Sequence, residues 1–485
     1  MNSNSNQEIG YVIGSRNYLA YLDGLPTIRV EDIVESDGGI RGIINSLSPE
    51  SVEVLLLDEG AISPGMSFHA TGKKVTVGVG TFLLGRSINP LGLPIDGKGI
   101  LEKTSTKEER ELDRQAEGID AREFINTQLT TGITLIDSLV PIGKGQRELV
   151  LGDNHSGVSN FLINLIVNQK DSDTICVYAA IGKPASFIRN LMNTLQVNNA
   201  LSHTVIVATS STEPTPLIFL TPKSALTIAE YFQQQGKDVL LILDDMGIHA
   251  KAYREISLLG GKSPGRESYP GDVFFTHARL LERAGKFNKE AGGGSITALP
   301  VMELQLTDFT GFIPTNLMSI TDGHLLFKSN LYNKNQRPAI DIALSVSRVG
   351  RQTQHSVNNA LSRRARQVLA KAQEMETLSR FSTELPAETQ LILRQKTLIE
   401  EILAQDDLTT IPLHIQSILL ALIFSTFLSD KNEGFIKKNK SILITAFTKD
   451  PLLTPIAQAV PRLKSDTELI AMLEKVTPKL TELCK

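Results

Sequence analysis

Runs of uninterrupted strand-forming residues, set apart by helical stretches, constrain this chain most. They are Glu148-Leu149-Val150-Leu151, Ile175 to Ala180, Val205-Ile206-Val207-Ala208 and Val239-Leu240-Leu241-Ile242-Leu243, with helical stretches at 157–170 and 184–196 among them. A strand that faces water on one side alternates apolar and polar residues; a continuous apolar run belongs to a parallel sheet covered on both faces. The pattern predicts a multidomain α/β protein with a central, mainly parallel sheet over 76–355. Before it, residues 1–75 carry short β-rich runs closed by turn signals, such as Tyr18-Leu19-Ala20-Tyr21-Leu22 before Asp23-Gly24. That spacing suggests a small N-terminal β-barrel or sandwich. After it, residues 356–485 are rich in Ala, Leu, Glu, Gln and Lys at helical period, so a C-terminal helical domain follows.

Composition narrows the function classes. The 485 residues carry 49 Lys and Arg against 53 Asp and Glu, a net charge of −4. Nucleic acid is excluded as the main partner, because neutralising phosphates needs a basic excess. The 2 cysteines, Cys176 and Cys484, have neither metal-ligand nor CxxC spacing, which fits a reducing compartment. The polar start Met1-Asn2-Ser3-Asn4-Ser5-Asn6 has no secretory pattern. The most apolar stretch, Ile411 to Leu428, is interrupted by Pro412, His414 and Gln416. It reads as a buried helix, and any membrane association is expected to come through other subunits.

The segment Leu149-Val150-Leu151-Gly152-Asp153-Asn154-His155-Ser156-Gly157-Val158-Ser159 carries the chemistry. A strand enters a glycine-bounded loop and then a helix: the phosphate-cradling frame GxxxxGK[ST], with Val158 in the lysine's place. Backbone N–H groups of the loop and the helix N-terminus still suit an anion, and Ser159 still suits Mg²⁺. The ammonium that would meet the β- and γ-phosphates is missing, so hydrolysis at this loop is not expected. About 85 residues on, Val239 to Leu243 ends in Asp244-Asp245, a Walker B pattern in which Asp244 would orient Mg²⁺. His155 and His249 have no metal-ligand partners at useful spacing and receive no role.

Several blocks are similar to the α subunit of F-type rotary ATP synthases. They are Gly132-Ile133 through Asp137 to Leu149; Asp244-Asp245 with Ala252 to Leu259; Pro264 to Phe274 with Arg279 to Ala284; and Pro338-Ala339-Ile340-Asp341 through Ser345-Val346-Ser347-Arg348-Val349-Gly350. The resemblance implies a RecA-like P-loop NTPase domain between the barrel and the helical domain. It also implies a hetero-hexameric ring of alternating α and β chains around a γ-like shaft, in which sites mainly on the β-like chain do the chemistry. It implies ATP or ADP with Mg²⁺, bound weakly or not at all at the loop Gly152 to Ser159, and a peripheral place on the cytoplasmic face of a bacterial inner membrane.

Family residues carry over position by position. Arg348, with Ser345, matches the segment from which α sends an arginine into the neighbouring catalytic site; a guanidinium is always charged and forks onto phosphate oxygens. Tyr332, Arg337, Pro338 and Gln405 match positions lining a noncatalytic adenine site, and Asp407 stands where a second glutamine is common. Lys183, at the end of the strand after the loop helix, replaces the catalytic subunit's glutamate and the α subunit's usual glutamine. It cannot act as a carboxylate base. Two readings of it stand: a solvated surface lysine, or a supplier of the phosphate-facing charge lost at Val158. Strand-like sequence from Glu8-Ile9-Gly10-Tyr11 leaves only a short polar tail where α chains carry a helical extension, so peripheral-stalk attachment by the usual route is not expected. The resulting reading is a noncatalytic α subunit coupling ATP synthesis or hydrolysis to ion transport, hydrogen ions included. The alternatives are a structural pseudo-ATPase ring subunit that binds no nucleotide, and a self-sufficient hexameric ATPase, against which Val158 and Lys183 argue.

Overall fold

The computed structural model describes residues 8–101, 108–304, 308–379, 386–429, 431 and 433–484. Six antiparallel strands open the chain: β1 Ile9–Arg16, β2 Leu19–Gly24, β3 Asp32–Ser36, β4 Arg41–Leu47, β5 Val52–Leu56 and β6 Ser67–Lys74. They close in the order β1-β2-β5-β4-β3-β6. Closure leaves no open edge and turns one residue in two inward. Val12, Leu22, Val34, Ile44, Val54 and Phe68 fill the interior, each 0–2% exposed. On the outer side of β5, Leu55 packs with Leu19 of β2 against Ile256 outside the barrel. Burying each such side chain stabilises the fold by about 1.5–3 kcal/mol.

Two compact units form, and neither is contiguous in sequence. One holds 1–124, 147–151 and 169–321; the other holds 125–146, 152–168 and 322–485. In the first, beside the barrel, the strands Ser87–Ile88, Thr204–Ser210, Ile175–Lys183, Asp238–Asp244 and Ser295–Leu304 lie side by side, all parallel. Arg147 adds a parallel bridge to Ala298. Cys176 through Ile181, Val205 through Ala208 and Leu240 through Leu243 are 0–1% exposed, which explains their lack of alternation. The helix Thr215–Gln234 packs against four of these strands with the helix Met246–Leu259 beside it, and the helix Ala185–Val197 also packs against the sheet. A buried ion pair pins the helix Thr215–Gln234: Arg283 donates to Glu230 at 2.7 and 2.9 Å, and also to Thr227 Oγ1 and the Leu112 carbonyl. Every guanidinium contact there goes to an oxygen, the condition under which a buried charge is tolerated.

The second unit is helical apart from short strand pairs, Gln128–Leu129 with Ile142–Gly143 and Gly323–Phe327 with Val346–Ser347. The helices Ser356–Ser379, Ala387–Leu403, Leu413–Leu422 and Asp466–Leu483 pack on one another. Ser465 caps the last of these by accepting from the Glu468 N–H, with Asp466 and Glu468 placed where the helix dipole favours anions. The apolar stretch from Ile411 forms a helix of 10 residues whose positions 415–422 are all buried. At about 1.5 Å per residue it is too short for a bilayer. No helix among the described residues is long and apolar enough to cross a membrane.

Asp137 organises this unit. Its carboxylate accepts from Thr131 N and Oγ1, Gly132 N and Gln416 Nε2 at 2.7–2.9 Å. Complete burial pushes its pKa up to about 6 against the opposing pull of those donors.

In the first unit His249 and His277, 28 residues apart, meet at 3.2 Å between ring nitrogens with no solvent exposure. Burial holds both rings below the usual imidazole range, His277 at about 4. A depressed histidine leaves the folded state intact above the unfolded pKa of about 6.5 and destabilises it as pH falls toward the folded value. For His277 the expected loss is about 2 kcal/mol by pH 5. Thermal unfolding followed from pH 7.5 to 5 should show this decline, and His277→Asn should flatten it.

Candidate functional site

In the second unit the loop from Gly152 to Gly157 joins a strand end to the helix Val158–Asn168. Gly157 takes φ +90°, and a Cβ there would sit 3.1 Å from the Tyr332 ring. The loop is braced from within, since Ser156 Oγ donates to the Asp153 carbonyl at 2.6 Å. It is braced from outside by Ser329, whose hydroxyl donates to Asp153 Oδ2 at 2.9 Å. Asn154 and His155 are exposed, as is Ser159 in the first helical turn, and Val158 is half-buried. The loop is therefore an ordered frame with an open N-terminal turn and no cation of its own at Val158.

Tyr332, Arg337, Pro338 and Gln405 come together with Ser156 and Gly157 around one pocket. The free space inside is about 20 Å³, little more than one water needs. Two contacts close it. The Arg337 guanidinium lies 4.7 Å from the centre of the Tyr332 ring, and Asn160 donates to Asp407 at 2.8 Å across the rim. The Gln405 amide is engaged at both ends, accepting from Thr134 and donating to the Gly132 and Thr409 carbonyls. It forms wall rather than a free recognition edge. The Arg337 Nε–H, by contrast, is buried without a hydrogen-bond partner among the described residues.

Arg348 lies on a segment anchored from both sides. Ser347 Oγ donates to the Pro141 carbonyl at 2.6 Å and accepts from Gln146 Nε2 and Gly350 N at 3.1 Å. A Cβ on Gly350 would fall 1.6 Å from the Pro141 oxygen, so only glycine permits this approach. The Arg348 N–H donates to the Asp322 carbonyl at 3.0 Å. Its side chain is exposed, with no carboxylate partner among the described residues. Ser345 corrects the expectation that it faces a neighbouring site beside Arg348. It is buried, its hydroxyl donating to the Asp341 carbonyl at 2.6 Å and accepting from Leu326 N at 3.0 Å, so it positions the backbone.

In the first unit Lys183 and Asp244 meet, and the reading of Lys183 as a solvated surface lysine needs correcting. Its Nζ is 2.7 Å from Asp244 Oδ1, with side-chain exposures of 16% and 4%, so it is no solvated surface lysine. Its charge is directed at the Walker B carboxylate. Burial pulls the Lys183 pKa down, but Asp244, Asp245 and Glu303 outweigh that and leave it raised. The other Asp244 oxygen accepts from the Tyr178 hydroxyl at 2.6 Å. Asp245 caps the helix Met246–Leu259 through Gly247 N at 2.6 Å, and burial pushes its pKa up to about 6. With an ammonium on one oxygen and a phenol on the other, Asp244 does not fit as the Mg²⁺ carboxylate that the sequence suggested. Sequence reasoning had no signal for this pair, because nothing in a strand-end lysine names its partner.

Residues 132–347 match the family model described as ATP synthase alpha/beta family, nucleotide-binding domain, and residues 354–477 match ATP synthase alpha/beta chain, C terminal domain. The chain is 40% identical over 446 residues to ATP synthase subunit alpha 1 of Mycoplasmopsis pulmonis, spanning 92% of this chain and 84% of that protein. The chain belongs to the ATP synthase alpha/beta family. ATP synthase subunit alpha of Mycoplasmoides gallisepticum is 39% identical over 97% of this chain and 91% of its own. The same subunit of Caldanaerobacter subterraneus is 41% identical over 87% and 83%.

Ser347→Ala should remove three hydrogen bonds and leave the Pro141 carbonyl unpaired. A loss of about 1–3 kcal/mol is expected, seen as a lower thermal midpoint of the full chain and faster proteolysis near Arg348.

Proposed function

We propose that this chain is the noncatalytic alpha subunit of the F1 sector of a rotary ATP synthase or ion-translocating ATPase. In this reading it alternates with a β-like catalytic chain in a hetero-hexameric ring around a γ-like shaft. It donates Arg348 to the neighbouring β-like site and couples ATP synthesis or hydrolysis to transport of hydrogen or other ions. It reaches the cytoplasmic face of the bacterial membrane peripherally, through other subunits.

Arg348 carries this reading: an exposed guanidinium without a carboxylate partner, held on a backbone tied down by Ser345, Ser347 and Gly350. A structural arginine would pair inside its own chain. One that points out from a fixed segment suits charge stabilisation in a neighbour. The noncatalytic assignment is supported by Val158 and Lys183, which remove the phosphate-binding ammonium and the carboxylate base from this chain's own site.

A second reading, a ring subunit that takes up no nucleotide, is favoured by the closed pocket in which Arg337 lies over Tyr332. Counting nucleotide per ring after gel filtration of the assembled complex separates the two. Nucleotide beyond what the β-like sites hold supports binding at Gly152 to Ser159; none beyond it supports the second reading.

Arg348→Gln is the decisive variant for the leading proposal. In the complex with its β-like partner it should cut steady-state ATP hydrolysis by about 10³-fold or more, with ring assembly unchanged by gel filtration. Unchanged turnover would overturn the assignment.

A further inference from the structure

In a P-loop site, the carboxylate at the end of the Walker B strand works through a divalent cation, which balances its charge and that of the phosphates. Here the charge balance is already present inside the protein. Lys183 ends the strand Ile175–Lys183, which runs parallel to Asp238–Asp244 with Ala180 opposite Asp244. A register irregularity between Ala180 and Lys183 follows on the other side of that strand, where Lys183 pairs with Ser210. Lys183 then lies 2.7 Å from Asp244 Oδ1. The Phe187 ring, 5.4 Å from Nζ, adds a favourable face for the cation. Tyr178 holds the second oxygen at 2.6 Å, and the Asp245 carboxylate is engaged as the cap of the next helix.

We propose that the Lys183 ammonium replaces the divalent cation at Asp244, so that this strand end excludes Mg²⁺. Mg²⁺ keeps a near-ideal octahedron of oxygens at about 2.0–2.1 Å and gives up its waters reluctantly. An ammonium 2.7 Å from the carboxylate occupies that first layer and repels a second cation. Exclusion of metal is a property of Lys183, Asp244 and Tyr178 alone.

Mn²⁺, a paramagnetic stand-in for Mg²⁺, tests this on the full-length chain by electron paramagnetic resonance of the unbound ion, with and without ATP. The wild-type chain and Lys183→Arg are expected to bind no Mn²⁺ at the site. Lys183→Gln, or Lys183→Met if the glutamine variant folds poorly, is expected to bind one Mn²⁺ per chain at least tenfold more tightly than wild type. Added Mn²⁺ should also raise the thermal midpoint of the neutral variants and leave that of wild type unmoved. Equal Mn²⁺ affinity in wild type and the neutral variants overturns the proposal, as does absence of Mn²⁺ binding in every variant, because Lys183 would then not be the barrier. A fluorescent ADP analogue is titrated in parallel. Failure of every protein to bind it, with or without metal, counts against nucleotide binding and leaves the Mn²⁺ comparison to judge Lys183.

Discussion

A parallel sheet buried on both faces leaves its strands no wall on which to carry chemistry. From Cys176 to Ile181 and from Leu240 to Leu243 every side chain is enclosed, and the charged groups stand where the strands end. Lys183 and Asp244 stand at two such ends, and they meet because their strands are neighbours. The barrel that precedes the sheet is likewise packed on two sides at β5, where Val54 and Leu56 fill the interior and Leu55 meets Ile256 outside. Open α/β sheets hold their ligands at carboxyl strand ends for this reason.

The fold was legible wherever a segment's surroundings are uniform. Continuous apolar runs implied buried strands, and the strands Ile175–Lys183, Thr204–Ser210 and Asp238–Asp244 extend each run by a few residues. The interrupted stretch from Ile411 was readable as a buried helix because Pro412 and Gln416 punctuate it: the proline sets the helix start, and Gln416 is turned inward to Asp137. The frame of the loop was legible from Gly152 and Gly157 alone. What sequence could not supply is partnership. Lys183 with Asp244, His249 with His277, and Asp153 with Ser329 are each joined by the tertiary fold, and local spacing carries no trace of such pairs. The Ser345 hydroxyl was misread for the same reason, since a serine beside a functional arginine looks alike whether it faces outward or braces the backbone.

Two kinds of site therefore coexist in this chain. The loop and its pocket have lost a charge at Val158 and are closed by Arg337 over Tyr332. The Arg348 segment is braced by hydrogen bonds to backbone groups from Pro141 to Gly350.

The ion pair at the strands' carboxyl ends also bears on how the protein forms. A counter-ion recruited from solution arrives with a concentration dependence, and a carboxylate awaiting it must be desolvated or left bare in the meantime. A lysine three positions along from a strand partner comes with the chain. Its local concentration is set by the backbone and does not vary with the surroundings. Asp244 is balanced as soon as the two strands align, whatever the ionic content of the cell in which the sheet assembles.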